Sequence, residues 1–253
     1  KKMWQSFLDD QPDIVLFSIY LWNAQELHRL AKQIKEYKPD TIIILGGPDI
    51  SWKQSSEYLT THWYYDYMVY GDPEKAFVLL LDAVLDNKAN SITLLNIPNL
   101  MVRDKQGKPI KTTWEIYQNE LYTTYSPWMH SIEDVKRDCK IAKQENLVPA
   151  IAYETDRGCP YNCSFCDWQA GLHHKVTRRK YTWKDEINLF AELGGYLTIS
   201  NANFGMYKDD IELIEYAWTL ENLKKYPGFI VVSPGFAKLH KKRVFDIYKK
   251  YGD

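Results

Sequence analysis

Cysteine is scarce in this sequence: four thiols among 253 residues are too few to staple a fold of this size with disulfides. An excess of charge of one sign is missing too, since 32 basic residues stand against 33 acidic ones and leave a formal net charge of −1. That balance removes the electrostatic ground for a nucleic acid or an anionic membrane as partner, both of which draw on a basic excess. No apolar run approaches the roughly 20 residues that cross a bilayer. The opening KKMWQSFLDDQPD holds no hydrophobic signal core. Internal repeats, low-complexity tracts and long charge runs are also absent. What is present, 45% hydrophobic and 26% charged residues, suffices for a buried core and for two domains. These features lead us to expect a cytoplasmic globular protein that acts on a small molecule or a peptide, with no nucleic-acid and no membrane partner.

The order of apolar segments sets the fold class. MWQSFLDD has the pattern of a short helix, and DIVLFSIY (13 to 20) is an apolar run of strand length. NAQELHRLAKQIKEY follows, with Asn23 and Glu26 spaced as a capping box and Leu27, Leu30, Ala31 and Ile34 on one helical face. TIIILGGP (41 to 48) reads as a strand buried on both faces. YDYMVYGDPEKAFVLLLDAVLDN adds a strand and a helix, which Asp72 would cap with Pro73 in its first turn. This alternation predicts an α/β, doubly wound, Rossmann-like domain over residues 1–112, closed by an edge hairpin with Gly107 in its turn. Such a sheet would normally have a strand ahead of residue 1, which suggests truncation. Residues 113–150 form a connector with a short helix around 131 to 143. Three β/α units over 151–253 predict part of a β/α barrel that stops halfway.

Three of the four cysteines, Cys159, Cys163 and Cys166, fall within eight residues of ETDRGCPYNCSFCDWQ, just after the first strand of that second alternation. β/α barrels place their chemistry in such loops. Three thiolates with no fourth nearby do not close a structural zinc site, whereas they can hold three irons of a [4Fe–4S] cluster and leave the fourth open. A zinc knuckle completed by His173 or His174 is the rival metal reading. Cys139, alone in the connector, reads as a small buried apolar residue. Glu154 and Asp156 alternate on a strand and could form a carboxylate pair or merely structural charges. The basic, aromatic stretch HHKVTRRKYTW (173 to 183) suits a solvated loop beside an anionic ligand as well as it suits nucleic acid.

With Cys159, Cys163, Phe165 and Cys166 in place, the chain resembles the radical S-adenosylmethionine (SAM) superfamily, whose signature is Cys-x3-Cys-x-aromatic-Cys. The longer match, RGCPYNCSFCDW together with NANFG after the next strand, resembles the branch with an N-terminal cobalamin (B12)-binding domain, over nearly the whole chain. The resemblance implies a [4Fe–4S] cluster on the three cysteines, SAM on its open iron, Phe165 near the adenine, and SAM contacts from Asn201 and Asn203. It also implies an external electron donor of the flavodoxin or ferredoxin type.

Open α/β sheets bind ligands beyond the carboxyl ends of their strands, where SIYLWN (18 to 23), GGPDIS (46 to 51) and GDPE (71 to 74) fall. Gly46 and Gly47 would clear space for a large flat ring to approach the backbone, although two glycines could equally make a tight turn. By resemblance that ring is cobalamin, with Ser18, Leu21, Gly46, Gly47, Pro48, Gly71 and Asp72 around it. The Asp-x-His-x-x-Gly motif is absent, so no histidine is expected on the lower face of cobalt. The implied activity is methyl transfer to an unactivated carbon through a 5′-deoxyadenosyl radical and methylcobalamin. A cobalamin-dependent radical rearrangement or cyclisation without methyl transfer is one alternative, and an iron–sulfur electron-transfer protein is the other.

Overall fold

A computed structural model describes residues 2–50, 55–86, 88–115, 126–161, 163–166, 176–179, 183–220, 231–232 and 241–251. The chain divides into two units, 1–117 and 118–253.

In the first unit the apolar runs become strands β1 (Ile14–Ser18), β2 (Ile42–Gly46), β3 (Tyr67–Val69), β4 (Leu100–Arg103) and β5 (Pro109–Lys111) of one sheet, in the order β1-β2-β3-β4-β5. β1, β2 and β3 run parallel, and β4 and β5 add in antiparallel fashion. Alternate side chains divide between two cores, as the two-residue period of a strand requires. Ile43, Leu45, Met68 and Met101 pack with helices α1 (Lys2–Asp10), α2 (Ala24–Tyr37) and α3 (Ser55–Thr61). Ile44, Val69, Leu100 and Val102 pack with α4 (Glu74–Leu85) and α5 (Ser91–Leu95). Helices thus cover both faces, and the expected double coverage of β2 holds. The order runs without reversal, so among the described strands none of the switch points that define a doubly wound sheet is formed.

Two local expectations are corrected. Asn23 stands at the N-cap of α2 without a side-chain capping bond. Its Oδ1 instead accepts from Tyr20 N at 2.8 Å, and its Nδ2 donates to Ser18 O at 3.1 Å, which pins the loop leaving β1. At α4 the N-cap is Pro73 rather than Asp72, again with no side-chain cap.

The second unit is a parallel sheet of β6 (Ala150–Tyr153), β9 (Tyr196–Ile199) and β10 (Val231–Val232), ordered β10-β9-β6, with a separate antiparallel pair, β7 (Asp156–Arg157) and β8 (Thr177–Arg178). Helices α6 (Pro127–His130) and α7 (Ile132–Gln144) precede β6. Helices α8 (Trp183–Leu193), α9 (Lys208–Thr219) and α10 (Lys241–Tyr251) follow β8, β9 and β10 in turn. Tyr153, Phe190, Leu197, Ile199, Phe204 and Leu213 centre its core, which also buries Cys139 as the sequence suggests. Burial raises the pKa of the Cys139 thiol, as it does for an inert core cysteine. Among the described residues no helix is long and apolar enough to cross a membrane.

Candidate functional site

The cysteine cluster lies on the segment that leaves β6. Asp156 pairs with Arg178 and Arg157 with Thr177 across β7 and β8, and Arg179 N donates to Thr155 O at 3.2 Å. This short ladder ties together the two ends of segment 158–176, so the three thiols ride on a loop closed at its base. Gly158, at φ +107°, turns the chain out of β7 in a backbone region that favours glycine. Cys166 N donates to Cys163 O at 3.0 Å and sets those two residues on one bend. Between them Phe165 is 84% exposed, a large apolar ring presented outward. Among the described residues no three His, Cys, Asp or Glu side chains are gathered as a ready-made metal site, these cysteines included. The fit to an iron–sulfur group therefore rests on the donor set, three soft sulfurs on one loop. His173 and His174, the ligands of the zinc alternative, lie outside the described residues.

The loop after β9 reaches back to this segment. Asn201 and Asn203 are both buried. Asn201 Nδ2 donates to Thr155 Oγ1 at 2.6 Å and to Asp156 Oδ2 at 2.8 Å, while its Oδ1 accepts from Thr155 N at 3.0 Å. Both of its amide N–H groups are therefore engaged within the protein. Asn203 Nδ2 donates to Cys159 Sγ at 3.1 Å.

Asp156 is only 1% exposed, and its Oδ1 has no hydrogen-bond partner. Burial, and then the nearby Asp210 carboxylate, push its pKa up to about 7 against the opposing pull of Arg178 and Asn201. Asp210 is also raised by burial, although its Oδ2 accepts from Gly205 N and Tyr207 N. Glu154 and Asp156 do not share a site: Glu154 pairs with Arg157 at 3.0 Å. Two cations of the basic stretch face acidic groups of the same unit, Arg178 on Asp209 at 3.1 Å and Arg179 on buried Glu186 at 3.3 Å.

The strand ends of the first unit have another character. Gly47 has φ +106°, and a Cβ there would lie 2.5 Å from both the N and the O of Ile19. The space left by its missing side chain is taken by the backbone after β1, not kept clear for a ring, which corrects the reason given for this glycine. Ile19 N donates to Gly46 O at 2.8 Å and Asp49 N to Ile19 O at 3.1 Å, locking the two loops together. A Cβ at Gly46 would make only an ordinary contact with Val69 O, at 3.4 Å. Gly71, at φ +75°, lies under the Trp114 ring. Ser18 and Pro48 are exposed, and Asp72 is half-buried.

Beside them Leu21 and Trp22 are 84% and 80% exposed, with Trp22 stacked on Tyr20 at 4.6 Å. Exposed large apolar side chains at a strand's carboxyl end form a surface that a flat, largely apolar ligand could cover. Tyr20 and Trp22 both belong to SIYLWN, the stretch the sequence places at this strand end, where Ser18 and Leu21 are the expected contacts. His28 and His62 stack on each other at 4.2 Å within an aromatic group that includes Tyr58, Tyr64 and Tyr65. His28 Nδ1 meets Tyr65 OH at 2.8 Å.

No family model matches the chain. It is 30% identical over 247 residues to the cobalamin-dependent radical SAM methyltransferase TokK of Streptomyces tokunonensis, covering 96% of this chain and 35% of that protein. It is 29% identical over 248 residues to the 2-(S-pantetheinyl)-carbapenam-3-carboxylate methyltransferase of Streptantibioticus cattleyicolor, covering 96% and 34%. The chain thus spans about a third of the length of these relatives. Its fold is similar to that of the cobalamin-dependent SAM radical enzyme OxsB, solved with aqua-cobalamin and SAM bound, at a TM-score of 0.62 and 16% identity over 92% of this chain and 31% of that one. The cysteine signature thus lies in a chain that is similar over nearly its whole length to about a third of TokK, a cobalamin-dependent radical SAM methyltransferase, and whose fold is similar to that of OxsB.

Proposed function

We propose that the chain is the cofactor-binding part of a cobalamin-dependent radical SAM methyltransferase that acts on an unactivated carbon of a small molecule or peptide. The observation that carries this reading is the relation to TokK over 96% of the chain, with Cys159, Cys163 and Cys166 of the radical SAM signature falling inside the aligned span. When bound, the cluster would supply the electron that cleaves SAM, and cobalamin would carry the methyl group.

The chain's own residues divide the remaining work. Cys159, Cys163 and Cys166 would ligate iron, and the exposed Phe165 ring would lie against the adenine of SAM. Asn201 and Asn203 would serve the same pocket, Asn201 by holding the loop that carries the ligands. In the first unit Ser18, Leu21, Gly46, Gly47, Pro48, Gly71 and Asp72 would border the corrin, with the exposed Leu21 as its apolar floor. The second unit is read as part of a radical SAM β/α barrel. An external flavodoxin- or ferredoxin-type protein would deliver the electron.

Anaerobic reconstitution of the full-length protein followed by mass spectrometry of the SAM products tests the assignment. Methyl transfer yields both 5′-deoxyadenosine and S-adenosylhomocysteine. Deoxyadenosine alone would point to rearrangement or cyclisation, and neither product would leave an iron–sulfur electron carrier. Replacing any one of Cys159, Cys163 or Cys166 by Ala should abolish deoxyadenosine formation, while Cys139→Ala should retain it. Loss of the cluster in Cys139→Ala, with the protein still folded, would refute the three-ligand assignment.

A further inference from the structure

The amide of Asn203 points at a sulfur. Its Nδ2 lies 3.1 Å from Cys159 Sγ, and the asparagine is 1% exposed, so its amide is shielded from water while the sulfur is half-buried. The loop that carries it is held at several points. Asn203 O accepts from Met206 N at 3.2 Å, and Phe204 beside it is buried in the core. Two residues further on, Gly205 N and Tyr207 N both donate to Asp210 Oδ2, at 2.8 and 3.0 Å. Arg243 Nη1 donates to Gly205 O at 3.2 Å and also to Met206 O. On the other side, Asn201 fixes Thr155 and Asp156, and with them the start of the segment that carries Cys159. Two alternate residues of one strand exit therefore grip the cysteine segment at two points, one through its backbone and hydroxyl, the other through its first sulfur.

We infer that Asn203 is a positioning residue for the cluster, donating a hydrogen bond to the Cys159 sulfur that raises the cluster's electron affinity. The inference rests on the reading of Cys159 as an iron ligand. Its physical ground is simple. Reduction adds one electron to the iron–sulfur group and so increases negative charge on the sulfurs, and a fixed N–H dipole stabilises that charge more in the reduced state than in the oxidised one. The donor is buried and the sulfur half-buried, so the bond acts more strongly than it would in bulk water. No covalent bond forms or breaks in this step: the electron comes from an external one-electron reductant and stays on the cluster. The role differs from contact with SAM, because the N–H that meets Cys159 is turned toward the protein's own thiol.

The test is an EPR-monitored redox titration of the anaerobically reconstituted full-length protein, without SAM, alongside iron and sulfide analysis. Asn203→Leu keeps the volume and removes the donor. It should retain iron and sulfide while its midpoint falls, so that at a fixed poise the reduced-to-oxidised ratio drops about tenfold, or about 59 mV for one electron. Asn203→Gln, which keeps a donor, should recover part of that shift. If Asn203→Leu sheds the cluster, Asn203→Asp at pH 8 carries the test, since it has the same shape and an acceptor in place of the donor, and its midpoint should fall at least as far. An unchanged midpoint in an iron-replete Leu or Asp variant overturns the role of Asn203 and leaves the cluster reading intact. A wild-type protein that takes up no iron and sulfide overturns both.

Discussion

The strand ends of the two units solve different problems with the same kind of loop. In the second unit the exits from β6 and β9 are knitted by buried side-chain amides: Asn201 holds Thr155 and Asp156, and Asn203 holds Cys159. In the first unit the exits from β1 and β2 are joined to each other through backbone, with Gly47 admitting Ile19 at a distance no side chain would tolerate, while the Asn23 amide pins the β1 loop only to itself. The amide-held exits enclose a carboxyl, Asp156, whose pKa burial and then Asp210 raise against the pull of Arg178 and the Asn201 amide. Backbone contact leaves side chains at the rim exposed, Leu21 on its own and Trp22 stacked on Tyr20. The first arrangement suits the orientation of fixed ligands, and the second suits a broad apolar face.

That contrast is most easily broken at Gly47. Gly47→Ala places a Cβ 2.5 Å from the Ile19 backbone at φ +106°, and should destabilise the fold by on the order of 3 kcal/mol in urea unfolding. Gly46→Ala, with its nearest contact at 3.4 Å, should cost about 1 kcal/mol or less. Equal losses at the two positions would mean that backbone contact does not hold these loops together.

A smaller effect, dependent on pH, is expected in the amide-knitted unit. Burial raises the pKa of Asp156 from an ordinary 3.8 to about 7, so the fold favours its protonated form. The stability this contributes is complete below about pH 4 and is lost as pH rises through about 7. Asp156→Asn should therefore be more stable than the parent at pH 8 by roughly 2 kcal/mol, and should gain nothing at pH 4. Urea unfolding of both proteins at the two pH values measures the difference, and a parent whose stability climbs from pH 4 to 8 relative to the variant would contradict it.

The smallest effect on stability should come at the rim. Trp22→Ala removes an exposed side chain, so unfolding should shift by less than about 0.5 kcal/mol. Binding of aquacobalamin, followed by visible absorption, should nevertheless weaken about tenfold, equivalent to about 1.4 kcal/mol. Unaltered binding would show that the exposed aromatic does not serve the corrin.

Legibility in the sequence follows the range of the interactions involved. DIVLFSIY, TIIILGGP and the hairpin around Gly107 announce their strands through local pattern, and the face of α2 is set by helical period. The cysteine signature is legible for the same reason, being contained in eight residues. The cap assigned to Asn23 failed because Tyr20 N and Ser18 O compete for the same amide, and nothing within the helix reveals them. Strand order escaped because pairing joins segments far apart in the chain. So did the grip of Asn203 on Cys159, which joins residues 44 positions apart and leaves no trace in spacing.

The two-residue ladder between β7 and β8 has a consequence for assembly. By tying Asp156–Arg157 to Thr177–Arg178 it makes the cysteine segment a cassette whose ends are fixed by the scaffold, and none of its described residues belongs to the parallel sheet. Closing such a loop carries an entropic cost that grows only with the logarithm of its length. Changes of length between the clasped ends should therefore cost the fold little, because the clasp and the parallel sheet are separate pieces of structure.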